Sequence, residues 1–69
     1  MNVERIREKL INGFRPFTIC TTAGRAFPVP HPKYIAIGEG VVVVIGKDDR
    51  VNTLDPLHIS SVTEKSSHK

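Results

Sequence analysis

The sequence predicts a mainly β domain of the α+β type: one N-terminal helix, then five or six short antiparallel strands forming a small barrel or a strongly bent sheet. Three observations carry this reading. Residues 41–45 are five consecutive β-branched side chains, four valines and an isoleucine, set between Glu39-Gly40 and Gly46-Lys47-Asp48-Asp49. Such side chains lose rotamer freedom in a helix and fit a pleated surface. The run therefore reads as a strand buried on both faces. From Phe14 onward, short apolar alternations are separated by glycine-containing turns, a pattern of small antiparallel barrels. Helical spacing is sustained at residues 3–11. Closure also removes exposed edges, which matters because an uncovered valine strand is an aggregation site.

In the N-terminal helix, Val3, Ile6 and Leu10 form an apolar stripe with Ile11 beside them, while Glu4, Arg5, Glu8 and Lys9 face water. Asn2 is an acceptable N-cap, and Glu4 suits the positive end of the helix dipole. Asn12-Gly13 stops the helix, because glycine takes the left-handed conformation that a C-terminal cap needs. A helix this short is not stable alone and must dock on the sheet or across a barrel mouth.

Pro16 cannot donate to a ladder and should precede the first strand. Phe17, Ile19 and Thr21 then share one face, with Thr18, Cys20 and Thr22 on the other. Ala23-Gly24 turns into a partner strand at residues 25–30, with Phe27 and Val29 inward and Pro28 and Pro30 marking an edge or bend. His31-Pro32-Lys33 connects to a third strand at 34–37, with Ile35 and Ile37 in the core. Glu39-Gly40 leads into the valine strand, and residues 46–50 form a polar hairpin loop. Residues 51–54 make a fifth strand. Asp55-Pro56 starts a helical turn, with Asp as cap and Pro at the first position, filled by Leu57, His58 and Ile59. Residues 60–64 form the last strand. A single barrel-like domain thus covers residues 1–64, and the polar residues 65–69 read as a disordered tail.

With 69 residues there is room for one core, and a chain of this size buries only about 60% of its unfolded surface. The single cysteine leaves no disulfide to staple it, fits a reducing cytoplasmic compartment, and makes self-association a source of added stability. No segment reads as a signal peptide, and no apolar run approaches the ~20 residues of a membrane helix. The net charge is +3, unevenly spread. Residues 1–38 carry six basic side chains against two acidic, and residues 39–64 carry two basic against five acidic. This asymmetry permits a basic nucleic-acid face, and it suits head-to-tail self-association equally well.

No catalytic constellation stands out. Cys20 with His31 or His58 shows neither a lowered thiol pKa nor an orienting third group, and Cys20 reads as a small packed residue. The spacing of Cys20, His31 and His58 matches no metal-site pattern. Asp48 and Asp49 read as turn formers, and Gly38-Glu39-Gly40 lacks the lysine and following helix of a phosphate loop. The surface candidate is the basic set Arg15, Arg25 and Lys33 with Tyr34, and Arg7 beside them, since nucleic-acid grooves combine positive charge with aromatic faces. With one tyrosine and no tryptophan, a stacking platform is poorly supplied. A second candidate is the proline-rich edge, Phe14-Arg15-Pro16-Phe17 with Pro28-Val29-Pro30-His31-Pro32, which could accept a strand from a protein partner or a second copy.

The strings Phe14-Arg15-Pro16-Phe17-Thr18-Ile19 and Gly24-Arg25-Ala26-Phe27-Pro28-Val29-Pro30-His31-Pro32 resemble a group of small bacterial proteins sharing an FRPF.I…GR.F.VPHP pattern after a short helix. That resemblance implies a shared fold and carries no activity. A helix followed by a five-stranded SH3-like barrel is similar to the layout of Sm-like proteins, and His58-Ile59-Ser60-Ser61-Val62 is similar to the end of an Sm fold. The Sm signature of an Asp and an Asn between the second and third strands is replaced here by Pro30, His31 and Pro32, so ring assembly and RNA contacts are not carried over.

The functional expectation is a non-enzymatic binding or adaptor module, self-associating or bound to a protein partner, with no cofactor, no metal and no membrane attachment. The alternative is a sequence-tolerant RNA or DNA binder using Arg15, Arg25, Lys33 and Tyr34.

Overall fold

In the computed structural model, which describes residues 3–11 and 13–64, two three-stranded antiparallel sheets share one core. Helix α1 (Val3–Ile11) leads into β1 (Phe17–Thr21) and β2 (Ala26–Val29). A 3-10 turn, η1 (Pro32–Tyr34), passes the chain to the second sheet: β3 (Ile35–Ile37), β4 (Val42–Ile45), the turn η2 (Lys47–Asp49) and β5 (Val51–Leu54). Turn η3 (Pro56–His58) then returns it to the first sheet as β6 (Ile59–Glu64). The strand orders are β2-β1-β6 and β3-β4-β5. The proposed Asn2 cap, Asn12 and the tail at 65–69 lie outside the described residues.

Alternation decides what each sheet contributes. Phe17, Ile19, Val29 and Ile59 come from the first sheet, and Ile35, Val42 and Val44 from the second. Ile6 joins them from α1 with no exposed surface. Helix α1 spans the end of the core where the two sheets approach it: Arg7 Nη2 donates to the Gly38 carbonyl at 3.2 Å, and Lys9 Nζ meets Glu64 of β6 at 2.6 Å. Arg7 also pairs with Glu4 one turn earlier. Gly13 follows the helix with φ +68°, the left-handed conformation expected of a stop.

The strand beginning after Pro16 follows the sequence reading, while β2 is shorter than the expected 25–30 and leaves Pro30 outside the strand. Pro28 lies on an edge strand, where its missing N–H costs no ladder bond. Asp55 caps η3 by accepting from the Leu57 N–H at 2.9 Å. Asp48 and Asp49 hold left-handed backbone in η2, at φ 62° and 59°, a conformation aspartate tolerates in turns.

Three expectations are corrected. The valine strand is Val42–Ile45, with Val42 and Val44 buried and Val43 and Ile45 half-exposed, so it is not buried on both faces. Among the described residues no layer covers its outer face, because helix α1 is used elsewhere; Pro28, Pro30 and Tyr34 only line a cleft beside Ile45. Tyr34 belongs to η1 rather than to the third strand. Pro32 presets the turn, which closes through Tyr34 N–H to the His31 carbonyl at 3.0 Å. Ile59 opens β6 rather than filling η3. The register jumps from Cys20↔Ser61 to Thr21↔Ile59, a bulge at Ser60. The extra residue restores inward facing to both Ile59 and Val62, which simple alternation would send to opposite faces.

Truncation of Ile6 should therefore cost about 2–5 kcal/mol of stability, whereas Ile11→Ala, at a site 72% exposed, should stay within about 0.5 kcal/mol. Urea unfolding of the two variants checks this; equal losses would show that α1 does not seal the core.

Candidate functional site

Two surface features result from this arrangement. The first is a cleft of about 870 Å³ between α1, the segment preceding β1, and the end of β6, lined by Arg5, Glu8, Lys9, Gly13, Phe14, Arg15, Val62 and Glu64. Arg5 and Lys9 reach it together because residues four apart share a helix face. Phe14 and Val62, both packed against the core, give it an apolar floor. Lys9 is engaged with Glu64, and their contact holds the Glu64 carboxyl below the usual glutamate value, first through the hydrogen bond and then through charge, with Arg15 adding a smaller pull. Arg5 and Arg15 make no hydrogen bond or ion pair among the described residues. The cleft thus offers two guanidinium groups with no hydrogen bond or ion pair among the described residues, beside an apolar surface.

The second feature is the ridge formed by β5 and η3. β5 is the edge of its sheet, and residues 51–54 include no proline and no charge. The bond from Gly46 N–H to the Arg50 carbonyl at 2.7 Å sets the phase of the β4–β5 ladder. Alternation then turns the backbone N–H and C=O of Val51 and Thr53 away from β4. Val51 is 67% exposed, and Leu57, held on its Asp55-capped turn, is 81% exposed.

The four residues singled out by sequence are not gathered into one groove. Arg15 lies in the cleft. Arg25 sits at the other end of β1, where its carbonyl accepts from Thr21 N–H, and its guanidinium lies 5.3 Å from the centroid of the Phe27 ring. The strand between those ends spans about 13 Å. Lys33 and Tyr34 are carried on η1; Tyr34 meets His31 edge-on, with ring centroids 6.4 Å apart, and lines a separate cleft of about 440 Å³ with Pro28, Pro30, Ile45 and the η2 residues. Arg7 is committed to Glu4 and Gly38.

Sequence reasoning missed Arg5, Lys9 and Glu64 as neighbours of Arg15. Arg5 and Lys9 read as an ordinary solvated helix face, and Glu64 meets Lys9 across 55 residues of chain, for which no local pattern exists. The exposure of Leu57 carried a faint signal: a leucine after Asp-Pro in a turn too short to bury it.

Cys20 is a free thiol, half-buried on β1. Among the described residues, no group of three or more His, Cys, Asp or Glu side chains is placed to hold a metal ion, and no helix is long and apolar enough to cross a membrane. No protein-family model matches the chain, and neither curated proteins nor solved structures give a match.

The Lys9–Glu64 contact has a signed pH dependence. A carboxyl with a lowered pKa adds stability that is present above its ordinary value and is lost as pH falls through the folded value; solvent exposure keeps the contribution small. In an NMR titration Glu64 should ionise below an ordinary glutamate, and Lys9→Met should move its midpoint back up. An unmoved midpoint would remove Lys9 as the cause.

Proposed function

We propose that this chain is a non-enzymatic binding module that presents its β5–η3 ridge to a protein partner or to a second copy of itself. The observation that carries the reading is the contrast between sheet edges. β2 is blunted by Pro28, β6 ends in the charged Glu64 and β3 is only three residues long, whereas β5 has neither proline nor charge, contains the exposed Val51 and is followed by the exposed Leu57. Edge strands left in that state are templates for pairing. The proline-rich β2 edge is the weaker candidate for strand addition, since each proline lacks a donor.

The connection of the two sheets through η1 and η3, with β1 paired to both β2 and β6, supports reading the architecture as a small SH3-like or Sm-like barrel with a helix at one mouth. It lends no activity to the chain. The likeness of residues 14–32 to the small bacterial proteins with the FRPF pattern has the same standing: it suggests a common scaffold.

The nucleic-acid reading draws on Arg15, now accompanied by Arg5 and Lys9 in one cleft. Against it, Glu8 and Glu64 line the same cleft, and Arg25, Lys33 and Tyr34 lie elsewhere. A phosphate-tracking surface needs its cations together.

Light scattering across a wide concentration range should show a mass rising above the monomer's 7.7 kDa, and Val51→Lys should reduce that rise. A chain that stays monomeric and captures no protein partner would remove this reading. Generic RNA or DNA should show no binding at low salt. Binding with a steep salt slope would instead favour the nucleic-acid alternative, because phosphate contacts release counterions.

A further inference from the structure

We infer that the ridge and the cleft are the two halves of one interface: Leu57 of one copy docks into the α1–β6 cleft of the next, in head-to-tail association. The inference rests on the self-association reading above and names its geometry.

Leu57 is the most exposed large apolar side chain among the described residues, at 81%. The backbone that presents it is held in place. Pro56 fixes the first position of η3, and the Asp55 carboxylate accepts from the Leu57 N–H at 2.9 Å. The turn is closed by His58 N–H donating to the Asp55 carbonyl at 2.8 Å. A rigid turn presenting one apolar side chain loses little freedom on docking. Beside it, Asp55 keeps its second carboxylate oxygen outside that cap.

The cleft has the complementary chemistry. Phe14 and Val62 supply an apolar floor for a leucine, and Arg5 and Arg15, neither hydrogen-bonded nor ion-paired among the described residues and Arg15 pulling only weakly on Glu64, supply guanidinium groups for a carboxylate. Lys9 and Glu64 neutralise each other, and Arg5 and Arg15 outnumber the one remaining carboxylate, Glu8, so the cleft keeps a net positive charge. Arginine is well suited to pair with a carboxylate through two parallel hydrogen bonds.

The placement of the two halves sets the symmetry. Turn η3 enters β6 at Ile59, and the cleft is lined by Val62 and Glu64 at the other end of the same strand. Knob and cleft therefore lie at opposite ends of β6 and cannot meet each other within one copy. An interface joining two different patches is heterologous and propagates into a ring or a chain rather than closing as a two-fold dimer. The opposite charge of the two halves of the sequence has the same direction: basic groups of the first half face acidic groups of the second, across copies. A single leucine and a few charges make a small contact, so the association is weak and concentration-dependent.

Mixing two defective variants of the full chain tests this. Leu57→Ser removes the knob and leaves the cleft; the double variant Arg5→Glu, Arg15→Glu removes the cleft and leaves the knob. All three positions are exposed, and circular dichroism should match the wild type. Each variant alone should fall to the monomer mass of 7.7 kDa at concentrations where the wild type associates. Mixed in equal amounts, they should form a species of twice that mass and nothing larger, because one good interface remains and cannot propagate. An unfolded variant could not restore association in the mixture. If the wild type associates and both variants do so equally well, the knob-and-cleft contact is wrong while self-association stands. If the variants stay monomeric when mixed, the interface is not heterologous. If the wild type is monomeric throughout, the self-association reading falls as well.

Discussion

The structure depends on the sealing of one small core from three directions. Two three-stranded sheets each bury one face, and Ile6 of α1 enters between them without exposed surface. Neither sheet has another layer to lie on, and isolated hairpins are marginal in water. Packing across this shared core is therefore what makes six strands of three to six residues worth forming. The half-covered outer face of β4 is the other side of the same constraint. Among the described residues there is one helix, and it is used where the two sheets converge.

That use of the helix also builds the cleft. Ile6 faces the core and Arg7 reaches back to the Gly38 carbonyl, which orients α1. Arg5 and Lys9 are then carried toward the end of β6, beside Phe14 and Arg15. The surface chemistry is thus a consequence of how the apolar stripe docks. The β5–η3 ridge arises differently: β5 has one neighbour, and the chain has to leave the second sheet at Leu54 and rejoin the first at Ile59, across the four residues 55–58. Leu57 is at the outside of that corner.

Much of the fold was legible because its signals are local. Pro16 and Pro28 state where a ladder donor is missing, Gly13 and Gly24 mark left-handed turns, and Asp55-Pro56 announces a capped turn. The exceptions share a cause. Tyr34 looked like a strand residue because its neighbours alternate, yet Pro32 had already committed the chain to a 3-10 turn. Ile59 looked like part of η3 because nothing in the residues 59–62 reveals that Ser60 is an extra residue against β1. A bulge is a property of two strands, and a single strand does not display it.

The site was less legible than the fold for the same reason. Arg15 was singled out from composition, but its companions Arg5, Lys9 and Glu64 come from either end of the described chain, and Arg25 and Lys33 were carried elsewhere by β1 and η1. By itself, the sequence determined the order of helix and strands and most of the residues that face the core, because those follow from periodicity and backbone sterics within a few residues. Tertiary structure alone decided which sheet face stays open, which charges share a cleft and which leucine is left in water. Those outcomes depend on how distant segments divide a core too small to cover every apolar surface.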